Sequence, residues 1–262
     1  MALFRVAVDV TTLWTSPQAP RPVDGPAVAD LPDPSAWLAA LDVHADDDES
    51  GAGRLGLHGR VDSQCVRGEP VVATGAATLT GWMPVVLPWQ PSRLDPRGYP
   101  GWLRTSHVVA EPNPGAGPGL PAPTAIGSSD PVALARGYAG LPYLWGGMSP
   151  LGLDCSGLVH LVWRMLGVVV PRDADDQQTA AYPVERGSEQ PGDLYFFARP
   201  GAGVHHVGIV TAAGRMIHAP ETGCGIVEEA LGPAREDTLY AVGRLPYPAE
   251  TAQATEAAEA GR

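Results

Sequence analysis

The sequence predicts an α+β protein in two parts, a small β-barrel followed by a part in which helices precede a run of strands. Three observations carry this. From Gly53 to Val109, short strand-like runs alternate with turn residues, the spacing expected of a small barrel. Further on, Leu158, Val159, Leu161, Val162, Met165 and Leu166 fall at helical spacing, and strand-like runs follow at 193–197, 205–211, 215–219 and 238–244. Between the two parts, residues 110–124 include five prolines among glycines, the composition of a linker.

Composition narrows the function classes. A hydrophobic content of 44% with 18% charged residues belongs to a globular protein, and 262 residues allow a core in each of two domains. A net charge of −12 argues against a nucleic-acid partner. The three cysteines, Cys65, Cys155 and Cys224, form neither a disulfide framework nor a CxxC pair, which fits a reducing compartment. Arg5 and Asp9 interrupt the apolar start, so the N-terminus does not read as a secretory signal. No stretch approaches a membrane span, and a cytoplasmic protein is expected.

Taken in order, residues 3–14 alternate like an opening strand, 16–34 are proline-rich, and 35–41 form a short amphipathic helix capped by Ser35. The acidic run Asp46-Asp47-Asp48-Glu49 reads as a solvated loop. Strands are expected at 59–62, 68–73, 81–87 and 101–103. Past the linker, Asp130 and Pro131 supply an N-cap and first position for a helix over 130–139. A glycine turn, the cysteine helix and a polar connection over 173–190 follow. The domains expected are 1–109 (barrel with an insertion), 110–129 (linker), 130–247 (second domain) and 248–262 (an Ala/Glu-rich disordered tail).

The chemistry concentrates at Tyr143–Gln178. Cys155 stands between Asp154 and Ser156, after the turn Tyr143-Leu144-Trp145-Gly146-Gly147, and opens the periodic helix that Gly167 stops. A sulfur in the first turn of a helix lies beside unpaired N–H groups and the positive dipole end, which favours thiolate, the nucleophilic form. The ordered set Tyr-Leu-Trp-Gly-Gly, Asp-Cys-Ser-Gly-Leu-Val, Pro-Arg-Asp-Ala, then Gly192-Asp193-Leu194, His206-Val207-Gly208-Ile209 and Ile217-His218-Ala219 resembles the NlpC-type, papain-like cysteine peptidases of bacterial cell-wall metabolism. The resemblance covers 130–247 and implies a papain-like domain, helices packed on an antiparallel sheet. In residues 53–109 the chain resembles a bacterial SH3-like domain, with Gly98-Tyr99-Pro100-Gly101-Trp102 as its late marker.

His205 and His206 point to opposite faces of a strand. If Val210 pairs with Gly214 across a three-residue loop, His206 stands directly across from His218, with Cβ atoms roughly 5 Å apart. A two-residue loop turns His218 to the other face. With the first register, Gly208 leaves room for the cysteine helix, His206 is the general base for Cys155, and His218 orients it. The resemblance places the family's Cys, His and third polar residue at the same three positions. His44, His58, His107, His160 and His205 are read as bystanders. For the oxyanion, the backbone N–H of Cys155 is one donor and the Tyr143 phenol a second, unless Tyr143 is simply a core aromatic.

Asp154 and Ser156 read either as first-turn helix residues or, by resemblance to recycling-type relatives, as holders of the free amino end of an L-alanyl-γ-D-glutamyl peptide. The same resemblance sets Arg172 against the D-glutamyl α-carboxylate, and Glu69 and Tyr99 as residues that close the cleft and bind the amine. It implies cleavage of the γ-D-glutamyl–diamino acid bond in small murein peptides, with no cofactor or metal. Three other readings stand beside it. Cys155, His206 and His218 as a zinc site is one, a non-catalytic wall-peptide binder another, and an acyl or amide transferase using the same thioester the third.

Overall fold

A computed structural model describes residues 2–44, 51–111 and 129–246. The acidic run 46–49, most of the expected linker and the tail 248–262 lie outside the described residues. The chain divides into two units. The first comprises the N-terminal part together with Gly140–Asp154 and Ala219–Gly225; the second holds the remainder, including Cys155–His218. The sequence reading draws no such division within 130–247.

The first unit is a seven-stranded antiparallel sheet of β1 (Leu3–Val6), β2 (Val10–Trp14), β3 (Val61–Val66), β4 (Pro70–Ala73), β5 (Trp82–Leu87), β6 (Tyr99–Arg104) and β7 (Val108–Ala110). Their order is β3-β2-β6-β5-β4-β1-β7. The expected opening strand is in fact two: β1 pairs with β4, β2 with β3, and residues 7–9 turn between them. Val6, Leu13, Cys65, Val71, Met83, Val85, Leu87 and Leu103 form one core. Trp14, Trp37, Leu41, Leu57, Val61, Trp82 and Leu144 form another. Two helices, α1 (Gly25–Val28) and α2 (Pro34–Asp42), border the second core. The cap of α2 is Asp33, whose carboxylate accepts from Ala36 N at 2.9 Å, and not Ser35. Proline at 34 fixes the first helical position two residues earlier than a Ser35 cap would place it.

The glycine turn is packed tightly in this unit. Trp145 Nε1 donates to Val61 O at 2.9 Å. Gly146 has φ 73°, and a Cβ there would sit 2.6 Å from Val61 Cγ1. Gly146 is therefore required both for its left-handed backbone and for the missing side chain. The turn runs on into a two-stranded ribbon, β8 (Met148–Ser149) and β9 (Gly152–Leu153). Gln64 Oε1 in β3 accepts from Met148 N (3.2 Å) and Ser149 Oγ (3.0 Å).

The second unit carries α3 (Pro131–Arg136), α4 (Cys155–Met165), α5 (Ala174–Ala180) and a six-stranded antiparallel sheet. Its strands are β10 (Tyr182–Val184), β11 (Leu194–Ala198), β12 (Val204–Ala212), β13 (Arg215–His218), β14 (Val227–Ala230) and β15 (Leu239–Arg244), with α6 (Pro233–Thr238) before the last. The sheet order is β10-β15-β11-β12-β13-β14. Asp130 caps α3 as its sequence position requires, accepting from Val132 N at 2.9 Å. The connection expected over 173–190 instead contains α5 and β10, and β14 is an additional edge strand. Helices α3, α4 and α5 all pack on β12, and Tyr195, Phe197, Val210, Met216 and Val242 form a further core. Burial on both faces explains why β11 and β12 read as nearly continuous apolar runs. Asp193 accepts from Arg244 Nε (2.6 Å) and Nη2 (3.0 Å) and so ties the start of β11 to β15. Among the described residues no helix is long and apolar enough to cross a membrane.

His160 lies inside this unit on α4. Its Nδ1 is 3.4 Å from Pro171 O, and among the described residues its Nε2 has no hydrogen-bond partner. Burial, reinforced by the charges of Arg164 and Arg172, pushes its pKa down from 6.5 to about 3. Between those values the unfolded chain binds a proton that the folded chain refuses. Stability is thus full above pH 6.5 and falls as pH drops toward 3, by up to about 1.4 kcal/mol per unit. Urea unfolding at pH 7 and pH 5 should show His160→Leu losing less stability than the parent chain, and equal losses would show that His160 does not carry the effect.

Candidate active site

Cys155 is the first residue of α4 and is 9% exposed. The helix forms because Leu158, Val159, Val162 and Trp163 give it a buried face, and Gly167 (φ 81°) ends it. That face packs the helix on β12, the strand that carries His206.

The β12–β13 hairpin decides where the two histidines point. Ala212 pairs with Arg215 across a two-residue turn, Ala213-Gly214, with Gly214 at φ 69°. Val210 pairs with Met216 and Ile209 with Ile217, so Thr211 is a bulge. The expected pairing of Val210 with Gly214, and with it His206 directly across from His218, is therefore corrected: the register places His218 opposite Gly208. The two-residue turn alone would send His218 to the far face, but the extra residue at Thr211 restores the parity. His206 and His218 share a face as diagonal neighbours, within reach for ring side chains. Their imidazoles meet, Nε2 of His206 to Nδ1 of His218, at 2.7 Å with the rings 78° apart.

Gly208 serves a purpose different from the one the sequence reading gives it. A Cβ there would lie 2.5 Å from Met216 Sδ and 3.2 Å from His218 Cβ. The space is filled by those two side chains, and not left for α4.

His206 is 4% exposed and His218 is fully buried. Phe197 pairs with His206 across β11–β12, the rings 5.6 Å apart, and the Arg235 guanidinium of α6 lies over the Phe197 ring, 5.6 Å from its centre. Burial pushes the pKa of His206 down, and the neighbouring His218, Arg235 and His205 push it further. His218 is lowered by burial and then by Arg235, and a hydrogen bond to Glu229 partly offsets this. Nε2 of His218 is 3.0 Å from Glu229 Oε1. Both rings are thus held neutral at rest, the state a proton acceptor needs.

The other expected site residues fall in separate places. Ser156 and Arg172 are together: Arg172, almost wholly buried, donates from Nη1 to Ser156 Oγ at 2.9 Å. Gln177 of α5, absent from the sequence reading, donates from Nε2 to Ser156 O (3.0 Å) and Pro171 O (2.9 Å). It ties the first turn of α4 to the segment bearing Arg172. In the first unit, Asp154 Oδ2 accepts from Gly146 N at 2.9 Å, and Tyr143 lines a cavity of about 520 Å³ with Asp42, Arg54, Pro142 and Cys224. Glu69 is 1% exposed and accepts from Gln90 Nε2 (2.8 Å) and Val66 N (3.1 Å). Tyr99 is buried in the core beside Met83 and Leu87.

For a metal, the imidazole pair offers little. His206 Nε2, His218 Nδ1 and His218 Nε2 each have a hydrogen-bond partner, so the pair with Cys155 falls short of the four ligands of a structural zinc site. Among the described residues, Asp173, Asp175 and Asp176 are the one group of side chains close enough to share a cation. They stand at the start of α5, where negative charge complements the helix dipole.

A family model described as NlpC/P60 family matches residues 140–240. The chain is 34% identical to the gamma-D-glutamyl-L-lysine dipeptidyl-peptidase of Bacillus subtilis strain 168, over 83% of this chain and 90% of that one. It is 25% identical to the protein of the same name from Bacillus cereus ATCC 10987, over 82% of each chain. The crystal structure of an NlpC/P60 family protein from Bacillus cereus ATCC 10987 superposes with a TM-score of 0.81 at 22% identity, covering 94% of this chain and all of that one. The class is that of the cysteine peptidases. Within it, the chain belongs to the NlpC/P60 family, and its α+β architecture is that family's fold.

Because burial and Arg235 both disfavour the imidazolium, His206 and His218 should remain neutral at pH 6.5 and take up protons only below it. Long-range ¹H–¹⁵N histidine spectra across pH 4–8 should show this, with the acid limb of kcat/KM also below 6.5. A resting His206 imidazolium at pH 7 would contradict the assignment.

Proposed function

We propose that the protein hydrolyses the γ-D-glutamyl–diamino acid bond of small peptidoglycan-derived peptides, with Cys155 as nucleophile, His206 as base and His218 as its orienter. The observation that carries the reading is the buried His206–His218 hydrogen bond on the strand that α4 packs against, in a chain 34% identical over most of its length to a gamma-D-glutamyl-L-lysine dipeptidyl-peptidase.

In the proposed reaction His206 takes the thiol proton and the sulfur of Cys155 adds to the γ-carbonyl carbon of the D-glutamyl residue. The oxyanion is received by the Cys155 backbone N–H, with the Tyr143 phenol as second donor. Collapse of the intermediate breaks the C–N bond, and the proton on His206 goes to the departing amine. Water, deprotonated by His206, then splits the thioester and returns the free thiol and the γ-carboxylate. An acyl or amide transfer would use the same thioester with another acceptor.

Arg172 and Ser156, joined by their hydrogen bond, are proposed to face the D-glutamyl α-carboxylate, for which a guanidinium fork is suited. Asp154 is proposed to hold the free amino end. Glu69 and Tyr99, buried in the same unit as Asp154, are proposed to close the cleft and help bind the amine. We read that unit's seven short antiparallel strands as an SH3-like barrel, and the second unit as papain-like. The zinc reading is disfavoured by the occupied ring nitrogens, and the non-catalytic reading by the filled Cys, His and His positions.

With L-Ala-γ-D-Glu-diamino acid as substrate, Cys155→Ala should abolish product by mass spectrometry with an unchanged circular dichroism spectrum, and chelators should leave the parent activity intact. Arg172→Lys should raise KM about 10-fold, because an ammonium replaces a bidentate fork. Blocking the amine, as in the N-acetylmuramyl form, should lower kcat/KM about 10-fold or more. Equal rates on free and blocked peptides would remove the amine requirement, and turnover by Cys155→Ala would remove the mechanism.

A further inference from the structure

We infer that Glu229 is a fourth member of the catalytic chain, a positioning residue that selects which nitrogen of His206 acts as the base. The inference rests on the proposed roles of Cys155, His206 and His218 and extends them.

The groups able to donate fix where each proton sits. Oε1 of Glu229 is 3.0 Å from His218 Nε2, and a carboxylate only accepts hydrogen bonds. The proton of this contact therefore belongs to His218 Nε2. A neutral imidazole carries one N–H, so His218 Nδ1 is bare and can only accept. Its neighbour at 2.7 Å, His206 Nε2, must then be the donor. His206 is in turn left with a bare Nδ1, and that atom is the one able to take the thiol proton. One acid at the end of the chain fixes the proton position on two rings.

The strands hold Glu229 in this role. Glu229 pairs with Met216 and His218 with Val227, so the carboxylate and His218 share a face as diagonal neighbours. Glu228 points the other way and is engaged by Arg136. The Glu229 side chain is 44% exposed, so on its removal water can reach His218 Nε2. Water both donates and accepts, however, and enforces neither tautomer. The carboxylate also opposes the Arg235 charge, which bears on the same ring.

The test uses the full chain, with ¹⁵N-histidine spectra and peptide kinetics on the same variants. Glu229→Ala should lower kcat about 10- to 100-fold, the scale of a hydrogen bond to a charged group, with KM within about twofold. The His218 signals should move from a single Nε2–H form to an averaged pair. Glu229→Gln, whose carboxamide oxygen still accepts, should recover most of both. A wild-type kcat in Glu229→Ala, or a fallen kcat with the His218 tautomer unchanged, would overturn the inference. The spectra need no substrate, so a wrong substrate class leaves this readout intact, whereas full turnover by His206→Ala would indict the catalytic assignment itself.

Discussion

The contact on which the site depends is the 2.7 Å hydrogen bond between His206 and His218. It joins two buried rings on adjacent strands, and each depends on the other to avoid an unsatisfied polar atom in a dry interior. A bulge at Thr211 puts both on one face, and a glycine at 208 lets the second ring lean across. The sheet is covered on both sides, so the register has little freedom to slip. The hairpin is best understood as a device for holding two nitrogens in line.

Around that contact the second unit is braced by polar links. Gln177 spans the carbonyls of Ser156 and Pro171, Arg172 reaches the Ser156 hydroxyl, and Asp193 with Arg244 fixes the ends of β11 and β15. These links are short and largely buried, so they specify geometry where apolar packing alone would permit sliding. In the first unit the same task falls to Asp24, whose carboxylate takes Arg21 Nε (2.9 Å) and Trp37 Nε1 (2.8 Å).

Much of this was legible in the residues. The helix over Cys155–Met165 announces itself by its apolar period and its glycine stop, and Asp130-Pro131 by cap chemistry. The alternation of His205 and His206 across a strand is likewise dictated by a period of two. What escaped has physical reasons. A bulge such as Thr211 carries no residue signature, so loop length alone misassigned the register by two positions. The strand β14, Val227-Glu228-Glu229-Ala230, lies at a sheet edge and lacks an apolar face, which hid Glu229. Helix α5 is short and polar, which hid Gln177.

The three thiols differ in a way that matters for anyone approaching this enzyme with electrophiles. Cys65 is sealed in a core, Cys155 shows only a sliver of surface, and Cys224 is exposed. A covalent warhead therefore meets the bystander sulfur first by simple access, and discrimination has to come from ionisation at the helix start. Activity-based labelling is cleanest in a Cys224→Ser background, where the stoichiometry of adducts counts nucleophiles alone.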